Sequence, residues 1–425
     1  MTAETAEFQE RAASRWLAGK TVVLVHPAWH SCGSHQVFVT QAQAYRNMGA
    51  TVLSLAVADF PGWVAGSKAH NDYLKATPDL VADARHYAGM PLRRFTRPRF
   101  LNSVRQFLHG NAAAMLIATT ENADLPKAIL SLPEIDLIHC NHFFCMSVAL
   151  RLRGARPCPI LLDTHDVQAR QFALRNETRA LLPPKTGFAT MLALELKEMR
   201  QADLLIHLND EEEAEWRDLL PDRPHELIYP AIVPMPTGPG GHEIAIVASA
   251  NHPNFLSVIW FLENVRPLAP DIPLRIIGNI DAMVRARDPA LFARHADLFA
   301  GRIDDLESVY ANAAGILLPT ISGHGISIKT LEALSSGLPL IATREAFRGI
   351  AVDPAILANV TLVDDAESFA KALRELAERP PSSGEERQGS DTRRLYERLF
   401  SFAAYQAAIG DVVRPLLDRQ QAKSA

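Results

Sequence analysis

The segment PTISGHGISIKTLEALSSGLPLIAT contains the residues whose types and spacing best suit a chemical task. A buried strand is predicted to end at its start, and a loop with Gly323 and Gly325 leads directly into a helix. Free N–H groups at a helix N-terminus attract anions, and glycines let the backbone approach a phosphate closely. Lys329 falls in the first turn, where a cation is unfavourable without an anion, and Glu332 can accept hydrogen bonds from vicinal hydroxyls. The pattern predicts a nucleoside diphosphate site; the alternative is a surface i,i+3 ion pair of Lys329 with Glu332.

A second group of polar residues follows a predicted buried strand in LLDTHDVQARQ. His165 stands where the strand ends, so its ring can donate a hydrogen bond to a sugar hydroxyl or a phosphate, with Asp166 orienting it. The alternative is a purely structural histidine. The first loop of the chain, HPAWHSCGSHQ, adds Gly33, Ser34 and His35 as candidate site residues.

The motifs disfavour metal and nicotinamide chemistry. The sequence has no Asp-x-Asp, and no Gly-x-Gly-x-x-Gly follows the first strand of either predicted domain. The histidines of the first loop do not share a helical spacing, and the four cysteines lack the paired spacing of a zinc site. We therefore expect no obligatory metal or cofactor, and four reduced thiols as in the cytosol.

Composition is typical of a globular enzyme with two or three domains. Hydrophobic residues make up 48% of the 425 residues, charged residues make up 21%, and the formal net charge is -5. This charge gives no support to a nucleic-acid partner. The first twenty residues lack the apolar core of a signal peptide, and no apolar run is long enough to span a bilayer. These features predict a cytoplasmic protein.

One basic segment departs from this acidic background. The run PLRRFTRPRFLNSVRQF carries five arginines interleaved with three phenylalanines: Arg93, Arg94, Arg97, Arg99 and Arg105. The pattern favours a solvated helix face. The alternative is peripheral contact with the inner face of a membrane, since such a segment suits anionic lipid or a polyprenyl-phosphate acceptor.

Short apolar runs alternate with helical periodicity along the chain, which predicts two doubly wound α/β domains. The predicted strands are TVVLVHPA, TVLSLAV, AAMLIAT, IDLIHC, PILLDT and ADLLIHL, then EIAIVASA, LRIIGN, DLFAGRI, GILLPTI and LPLIAT. The run PAIVPMPTGPGGH separates the two sets. We expect one doubly wound domain over 1–232, a second over 233–395 and a helical tail over 396–425, with ERPPSSGEERQGSD as a solvated loop. Ligands bind beyond the carboxyl ends of such strands, so the expected site is a cleft between the domains.

Several of these motifs together resemble family 4 of the glycosyltransferases, enzymes of the GT-B fold. The segments ANHPNFLSVIWFLENVRPLAPDIPLRIIGN, HADLFAGRIDDLESVYANAAGILLPT and GISIKTLEALSSGLPLIAT are similar to that family in order and spacing, and LLDTHD is similar to its v-t-H-D motif. The resemblance implies two facing Rossmann-like domains: an acceptor-side domain over 1–232, with Gly33, Ser34 and His35, and a donor-binding domain over 233–395. It also implies transfer of a sugar from a nucleotide diphosphate donor, with retention of configuration and without an obligatory metal.

The resemblance implies roles for individual residues. Glu332 is similar to the glutamate that binds the ribose, and His324 stands where the family has a second glutamate, which contacts the donor sugar. His165, with Asp166, resembles the family histidine close to the reacting centre. The other donor-binding residues implied are Lys329, Gly323, Gly325, Ile326, Ser327, Ser249, Asn251, Asn254, Gly301 and Arg302. The loop SANHPN lacks the arginine and lysine with which the family clamps the diphosphate.

We therefore predict a retaining, metal-independent hexosyl transferase that acts in bacterial polysaccharide or glycoconjugate biosynthesis, on a glycan or lipid-linked acceptor. Three alternatives stay open at this point. They are a sugar-nucleotide epimerase of the same fold, a nicotinamide dehydrogenase, and a non-catalytic homologue that binds nucleotide or glycan. The last is motivated by His324 and by the missing clamp.

Overall fold

The computed structural model describes residues 15–30, 32–111, 113–177 and 185–424. The chain forms two compact units. One extends to Pro230 and takes in the chain again from Tyr405 onward, and the other comprises Ala231–Ala404. Sequence analysis places the corresponding boundaries at 232/233 and 395/396.

A seven-stranded parallel sheet forms the centre of the first unit, in the order β3-β2-β1-β4-β5-β6-β7. Its strands are β1 Thr21–Pro27, β2 Thr51–Val57, β3 Ala84–Ala88, β4 Leu137–Asn141, β5 Ile160–Asp163, β6 Leu204–His207 and β7 His225–Leu227. The strand order reverses between β1 and β4. In doubly wound sheets, ligands bind beyond the carboxyl ends of strands at such a switch point.

Helices connect the strands of this sheet, as parallel pairing requires. They are α1 Gly33–Asn47, α2 Lys68–Ala76, α3 Pro98–Leu108, α4 Ala113–Glu121, α5 Lys127–Leu130, α6 Met146–Arg153, α7 Gln168–Glu177, α8 Phe188–Met199 and α9 Asp210–Leu219. Short 3₁₀ turns cover Leu92–Thr96 and Phe143–Cys145. The central strands are buried along almost their whole length, as expected of a parallel sheet whose two faces are covered.

The second unit is built on a six-stranded parallel sheet in the order β10-β9-β8-β11-β12-β13. Its strands are β8 Glu243–Val247, β9 Arg275–Ile277, β10 Phe299–Gly301, β11 Ala313–Leu318, β12 Leu340–Ala342 and β13 Val360–Leu362. Again the order reverses at the centre, here between β8 and β11.

The helices of the second unit are α10 His252–Trp260, α11 Ile280–Arg287, α12 Pro289–Arg294, α13 Leu306–Ala311, α14 Ile328–Ser336, α15 Ala366–Ala377, α16 Gly384–Gln388 and α17 Asp391–Leu399. A π turn at Phe261–Val265 extends α10, and 3₁₀ turns cover Arg266–Leu268, Ala296–Leu298, Arg344–Phe347 and Pro354–Ile356. The last helix of the chain is α18, Phe402–Ser424. Within the described ranges, none of the helices has the length and apolar character that crossing a bilayer requires.

The predicted α/β class is confirmed, and ten of the eleven predicted strands are present. The prediction for AAMLIAT is wrong, because this run lies in helix α4. A short apolar run fits a strand or a buried helix equally well by pattern, and its alanines favour the helix. Three short strands, β3, β7 and β13, were not predicted.

The prediction of a solvated loop at ERPPSSGEERQGSD is also wrong in part. Helix α16 lies inside it, and the Arg387 side chain at its end is fully buried. The guanidinium donates hydrogen bonds to four carbonyl oxygens, those of Pro236, Gly238, Tyr310 and Ser336. A buried cation is stable only when its donors are satisfied, and here the backbone of three separate segments satisfies them.

Candidate functional site

Two stacked histidines lie at the carboxyl ends of β4 and β5 in the first unit. His142 follows β4 with φ of 63°, and His165 lies two residues after β5 with φ of 59°. In the described part of the chain these are the only residues other than glycine with positive φ. Their rings are 4.0 Å apart and nearly parallel, at 9°. Backbone strain of this kind persists where the surroundings enforce it, and it concentrates at functional sites.

A pair of buried amides fixes the orientation of the His165 ring. Gln41 of helix α1 and Asn141 of strand β4 exchange two hydrogen bonds, at 3.0 and 2.8 Å. Gln41 Nε2 also donates to Asp163 Oδ2 at 3.1 Å, which sets the direction of both amides. Asn141 Oδ1 therefore faces His165 Nε2, 2.9 Å away, as an acceptor.

This geometry determines the tautomer of His165. An amide oxygen can only accept, so Nε2 of the neutral ring carries the hydrogen, and Nδ1 carries the lone pair. In the described ranges Nδ1 has no hydrogen-bond partner. The side chain therefore presents a hydrogen-bond acceptor, which suits a hydroxyl group rather than a phosphate oxygen.

Burial controls the charges in this network. Desolvation holds the pKa of His165 well below its usual value and lowers the pKa of His142 to about 3, so both rings are neutral at physiological pH. Desolvation raises the pKa of Asp163 to about 7, opposed by hydrogen bonds from the His165 amide and from Gln41. The site is therefore polar and close to neutral.

The predicted acceptor-side residues lie at the start of helix α1. Gly33 begins the helix, and Ser34 Oγ lies 3.2 Å from His142 Nε2. His35 Nε2 contacts the Asp79 carboxylate at 3.0 Å. Ser34 is thus part of the strand-end network, whereas His35 is held by an ion-pair geometry outside it.

Asp166 lies beside a different group of acidic side chains. Burial raises the pKa values of Glu195 and Glu212 to about 8, and Asp166 adds to both shifts. Glu195 accepts hydrogen bonds from Gln168 N and Ala169 N, the first two residues of α7. Its carboxyl group therefore lies at the positive end of the α7 helix dipole. The ring of His165 is held by Asn141, a residue that sequence reasoning did not identify, and the orienting role of Asp166 stays a prediction.

The predicted donor loop of the second unit follows strand β11. Gly325 has φ of 62°, a conformation that residues with a Cβ rarely adopt. Gly323 lies against the Arg348 guanidinium, since an added Cβ would lie 2.3 Å from it. His324 between them is exposed, and Ile326 and Ser327 are half-buried. The turn therefore favours glycine at 325, and the absence of a side chain at 323 leaves room for the Arg348 guanidinium.

Helix α14 places Lys329 and Glu332 on one face. Ser327 caps the helix by accepting from Thr330 N at 3.4 Å, which leaves the N–H groups of Ile328 and Lys329 without that cap. Lys329 Nζ lies 3.3 Å from Glu332 Oε2. The ion pair that was the alternative to a donor site thus forms, but it is not fully solvated, because the Glu332 side chain is only 15% exposed. Burial raises the pKa of Glu332, and the Lys329 ammonium opposes that rise.

The other predicted donor residues hold their own loops together. Asn251 caps α10 by accepting from Asn254 N at 2.8 Å, and Asn254 Nδ2 donates to the carbonyl of Ser249 at 2.9 Å. Arg302 is exposed and pairs with Asp304. The Gly301 carbonyl accepts from the Gly278 N–H, which joins the loops after β9 and β10. These contacts position the loops at the carboxyl ends of β8, β9 and β10.

Sequence reasoning missed His142, Asn141 and Gln41. The only local signal was the run HCNHFF, in which one histidine ends a predicted strand with Cys140 and a second, His142, follows it. In the described ranges, no three His, Cys, Asp or Glu side chains converge as a metal site would require.

Comparisons with known proteins agree with this architecture. Residues 241–379 match the family model of Glycosyl transferases group 1. The chain is 25% identical over 344 residues to a D-inositol 3-phosphate glycosyltransferase of Saccharomonospora viridis, covering 72% of this chain and 76% of that protein. HepE of Anabaena, solved in complex with UDP, is 12% identical with a TM-score of 0.60, covering 93% of this chain and 100% of its own. Sucrose-phosphate synthase of Thermosynechococcus elongatus is 18% identical, also with a TM-score of 0.60, covering 94% and 100%.

The matched range contains β11, the loop with Gly323 and Gly325, and the helix with Lys329 and Glu332. The likeness to the solved structures shows the fold and extends over both units. Residues 241–379 are therefore similar to Glycosyl transferases group 1, and the chain has the α/β fold of the GT-B glycosyltransferases.

Proposed function

We propose that this protein transfers a sugar from a nucleotide diphosphate donor, bound by the second unit, to a glycan or lipid-linked acceptor in polysaccharide or glycoconjugate biosynthesis. The observation that carries the proposal is the position of Glu332. Its largely buried carboxylate lies in the first turns of the helix that follows β11, inside the range matched by the family model. A buried carboxylate at a strand-end loop has a functional use in accepting two hydrogen bonds from a ribose diol.

The donor diphosphate would bind at the start of α14. Its negative charge meets the positive end of the helix dipole, two N–H groups that Ser327 leaves uncapped, and the Lys329 ammonium. In the loop SANHPN, Asn251 and Asn254 offer only neutral amides, and these are already engaged within the loop. In the family, a clamp of one arginine and one lysine also binds the diphosphate. In this chain Lys329 and the helix terminus therefore bind it without that clamp.

In the first unit, the Nδ1 lone pair of His165 would accept a hydrogen bond from a sugar hydroxyl. Because burial keeps the pKa of His165 well below its usual value, the ring is a poor base. The acceptor's proton would instead pass to the departing diphosphate, as the sugar–phosphate C–O bond breaks and the acceptor C–O bond forms on the same face. This order of bond changes is consistent with retention and with a metal-independent reaction, as the family resemblance implies.

Calorimetric titration with UDP, GDP, ADP and dTDP, with and without magnesium, tests the donor site. We expect micromolar binding of one nucleotide without added metal, and UDP is the first to test because HepE binds it. Glu332→Ala should weaken that binding about 30-fold to several hundred-fold. Glu375→Ala is the matched control, since Glu375 also pairs with a lysine on a helix of this unit but is exposed. Equal binding by both variants would contradict the proposal.

A second candidate is a non-catalytic homologue that binds the nucleotide and does not transfer the sugar. Two observations favour it: the exposed His324 stands where the family has a glutamate, and the diphosphate clamp is absent. Product analysis distinguishes the candidates. A glycosylated acceptor plus free nucleotide diphosphate supports transfer, an isomerised sugar nucleotide supports an epimerase, and nucleotide binding without either product supports the non-catalytic homologue.

A further inference from the structure

Helix α3 exposes an apolar face to solvent. Its inner face packs Phe100 and Val104 against Met90 and Ala118. Leu101 and Leu108 share a second face, seven residues apart, and are 55% and 72% exposed. A helix that is already anchored by one apolar face gains nothing for folding from a second, solvated one.

The segments before α3 also expose apolar side chains. Phe95 contacts Phe100 at a ring distance of 4.6 Å, which joins the 3₁₀ turn to α3. Leu92 in that turn is 61% exposed and lies beside Gly62, where an added Cβ would be 3.1 Å from its side chain. Six exposed apolar side chains, which we call the docking surface, result: Phe60, Trp63, Leu92, Phe95, Leu101 and Leu108.

Positive charge surrounds this surface. The segment from Met90 to Asn111 has five arginines and no acidic residue, in a chain of net charge -5. At the base of α3, an open cavity of about 640 Å³ is lined by Arg94, Arg97 and Arg151, with Pro98, Glu121 and Asn122. The guanidinium groups of Arg94 and Arg151 hold the carbonyl oxygens at the end of α4.

Arg97 differs from the other two arginines of the cavity. Its side chain is exposed and has no partner in the described ranges. Its charge lowers the pKa values of Arg94 and Arg151, after the larger effect of their burial. Arg94 also pairs with Asp124, and Glu121 lines the cavity, so Arg97 is the guanidinium of these three whose donors can take an anion; a phosphate suits them.

We propose that the docking surface inserts into the interface of an anionic lipid bilayer, and that the arginine cavity receives a lipid phosphate. Apolar side chains among arginines fit the interface of a bilayer, where phosphates lie above the acyl chains. The apolar side chains reach the acyl chains, and the arginine stems lie along apolar groups while their heads reach phosphate. An acidic protein partner is the other occupant that this charge would suit. The inference stands independently of sugar transfer.

Co-sedimentation of the intact protein with phosphatidylcholine vesicles, with and without phosphatidylglycerol, tests the proposal. We expect binding only to the anionic vesicles, weakened by salt, and a blue shift of tryptophan emission that Trp63→Phe removes. Arg97→Ala with Arg105→Ala should reduce partitioning about 25-fold, since each arginine near an anionic surface contributes about fivefold. Leu101→Ser with Leu108→Ser should reduce it at least about tenfold.

Matched controls keep the test specific. Val233→Ser with Ile356→Ser removes two equally exposed apolar side chains of the second unit, and Arg379→Ala removes an exposed arginine there. Both should bind vesicles like the wild type. No binding of folded wild-type protein to anionic vesicles would overturn the proposal, as would equal binding to neutral vesicles. Binding of soluble glycerol phosphate without vesicle binding would leave a phosphate site and overturn the lipid assignment.

Discussion

Replacing Glu332 with alanine should reduce kcat/KM by about 30-fold to several hundred-fold. A hydrogen bond to a charged group contributes about 1.5–3 kcal/mol, and a ribose diol can give the carboxylate two. Lys329 already lies 3.3 Å from Oε2, so one of the two bonds replaces part of an existing interaction. The net loss is therefore about 2–4 kcal/mol, below the sum of two full bonds.

The glutamine variant separates binding from folding. Burial raises the pKa of Glu332, so the folded chain holds this proton more tightly than the unfolded chain does. The group's contribution to stability is therefore largest below its unfolded pKa and is lost as pH rises through the folded pKa. At neutral pH, Glu332→Gln should leave the free energy of unfolding unchanged or increase it. Because one acceptor oxygen remains, kcat/KM should fall only about tenfold.

Urea unfolding and steady-state kinetics with one donor, run on the same preparations, check both expectations. Glu375→Ala, on an exposed Lys–Glu pair, should change neither quantity. Wild-type kinetics in a correctly folded Glu332→Ala protein would refute the donor-site assignment. A Glu332→Gln protein that loses activity only in proportion to lost stability would refute the separation of binding from folding.

Three further predictions test other parts of the molecule. Asn141→Leu should lower kcat about tenfold with little change in donor Kd, and nitrogen NMR should show a mixture of His165 tautomers. Asn141→Asp should restore the single tautomer of the wild type, whereas a wild-type tautomer in Asn141→Leu would contradict the prediction. Glu212→Gln should stabilise the protein by at least about 1 kcal/mol at about pH 9 and not at about pH 5, because burial raises the pKa of Glu212 to about 8 and its charged form is penalised above that value. Urea titrations in which the variant and the wild type differ in free energy of unfolding by the same amount at both pH values would refute it. Arg387→Met should cost about 3–5 kcal/mol of stability, since four carbonyl oxygens lose their donor, whereas Arg379→Met should be neutral by thermal unfolding.

The repeating α/β pattern could be predicted because each element is a local signal. The strand TVVLVHPA and the run GILLPTI are bounded apolar runs, and proline and glycine mark the boundary between units. The donor loop was also predictable, since Gly323, Gly325, Lys329 and Glu332 lie within ten residues. Their roles in binding stay predictions.

The strand-end network could not be predicted from local signals. Gln41 and Asn141 are 100 residues apart, and they meet only because β1 and β4 are neighbours in the sheet and α1 covers their ends. The buried position of Arg387 depends in the same way on carbonyl groups from distant segments. Composition indicated a solvated loop there because a polar segment does not reveal which acceptors the fold will bring to it.

The neutrality of the strand-end network is a chemical requirement of the proposed reaction as well as a result of burial. Sugar transfer develops positive charge on the sugar, which a protonated imidazole would oppose and a lone pair would not. Two stacked imidazoles stay neutral because both pKa values are lowered by desolvation and because each ring would repel the other's charge. Asp163 is the group of this network whose pKa, about 7, lies near physiological pH, and its ionised form holds the Gln41 amide that directs Asn141. The tautomer of His165 therefore depends on the ionisation of a carboxyl group that does not contact its ring nitrogens within hydrogen-bond distance.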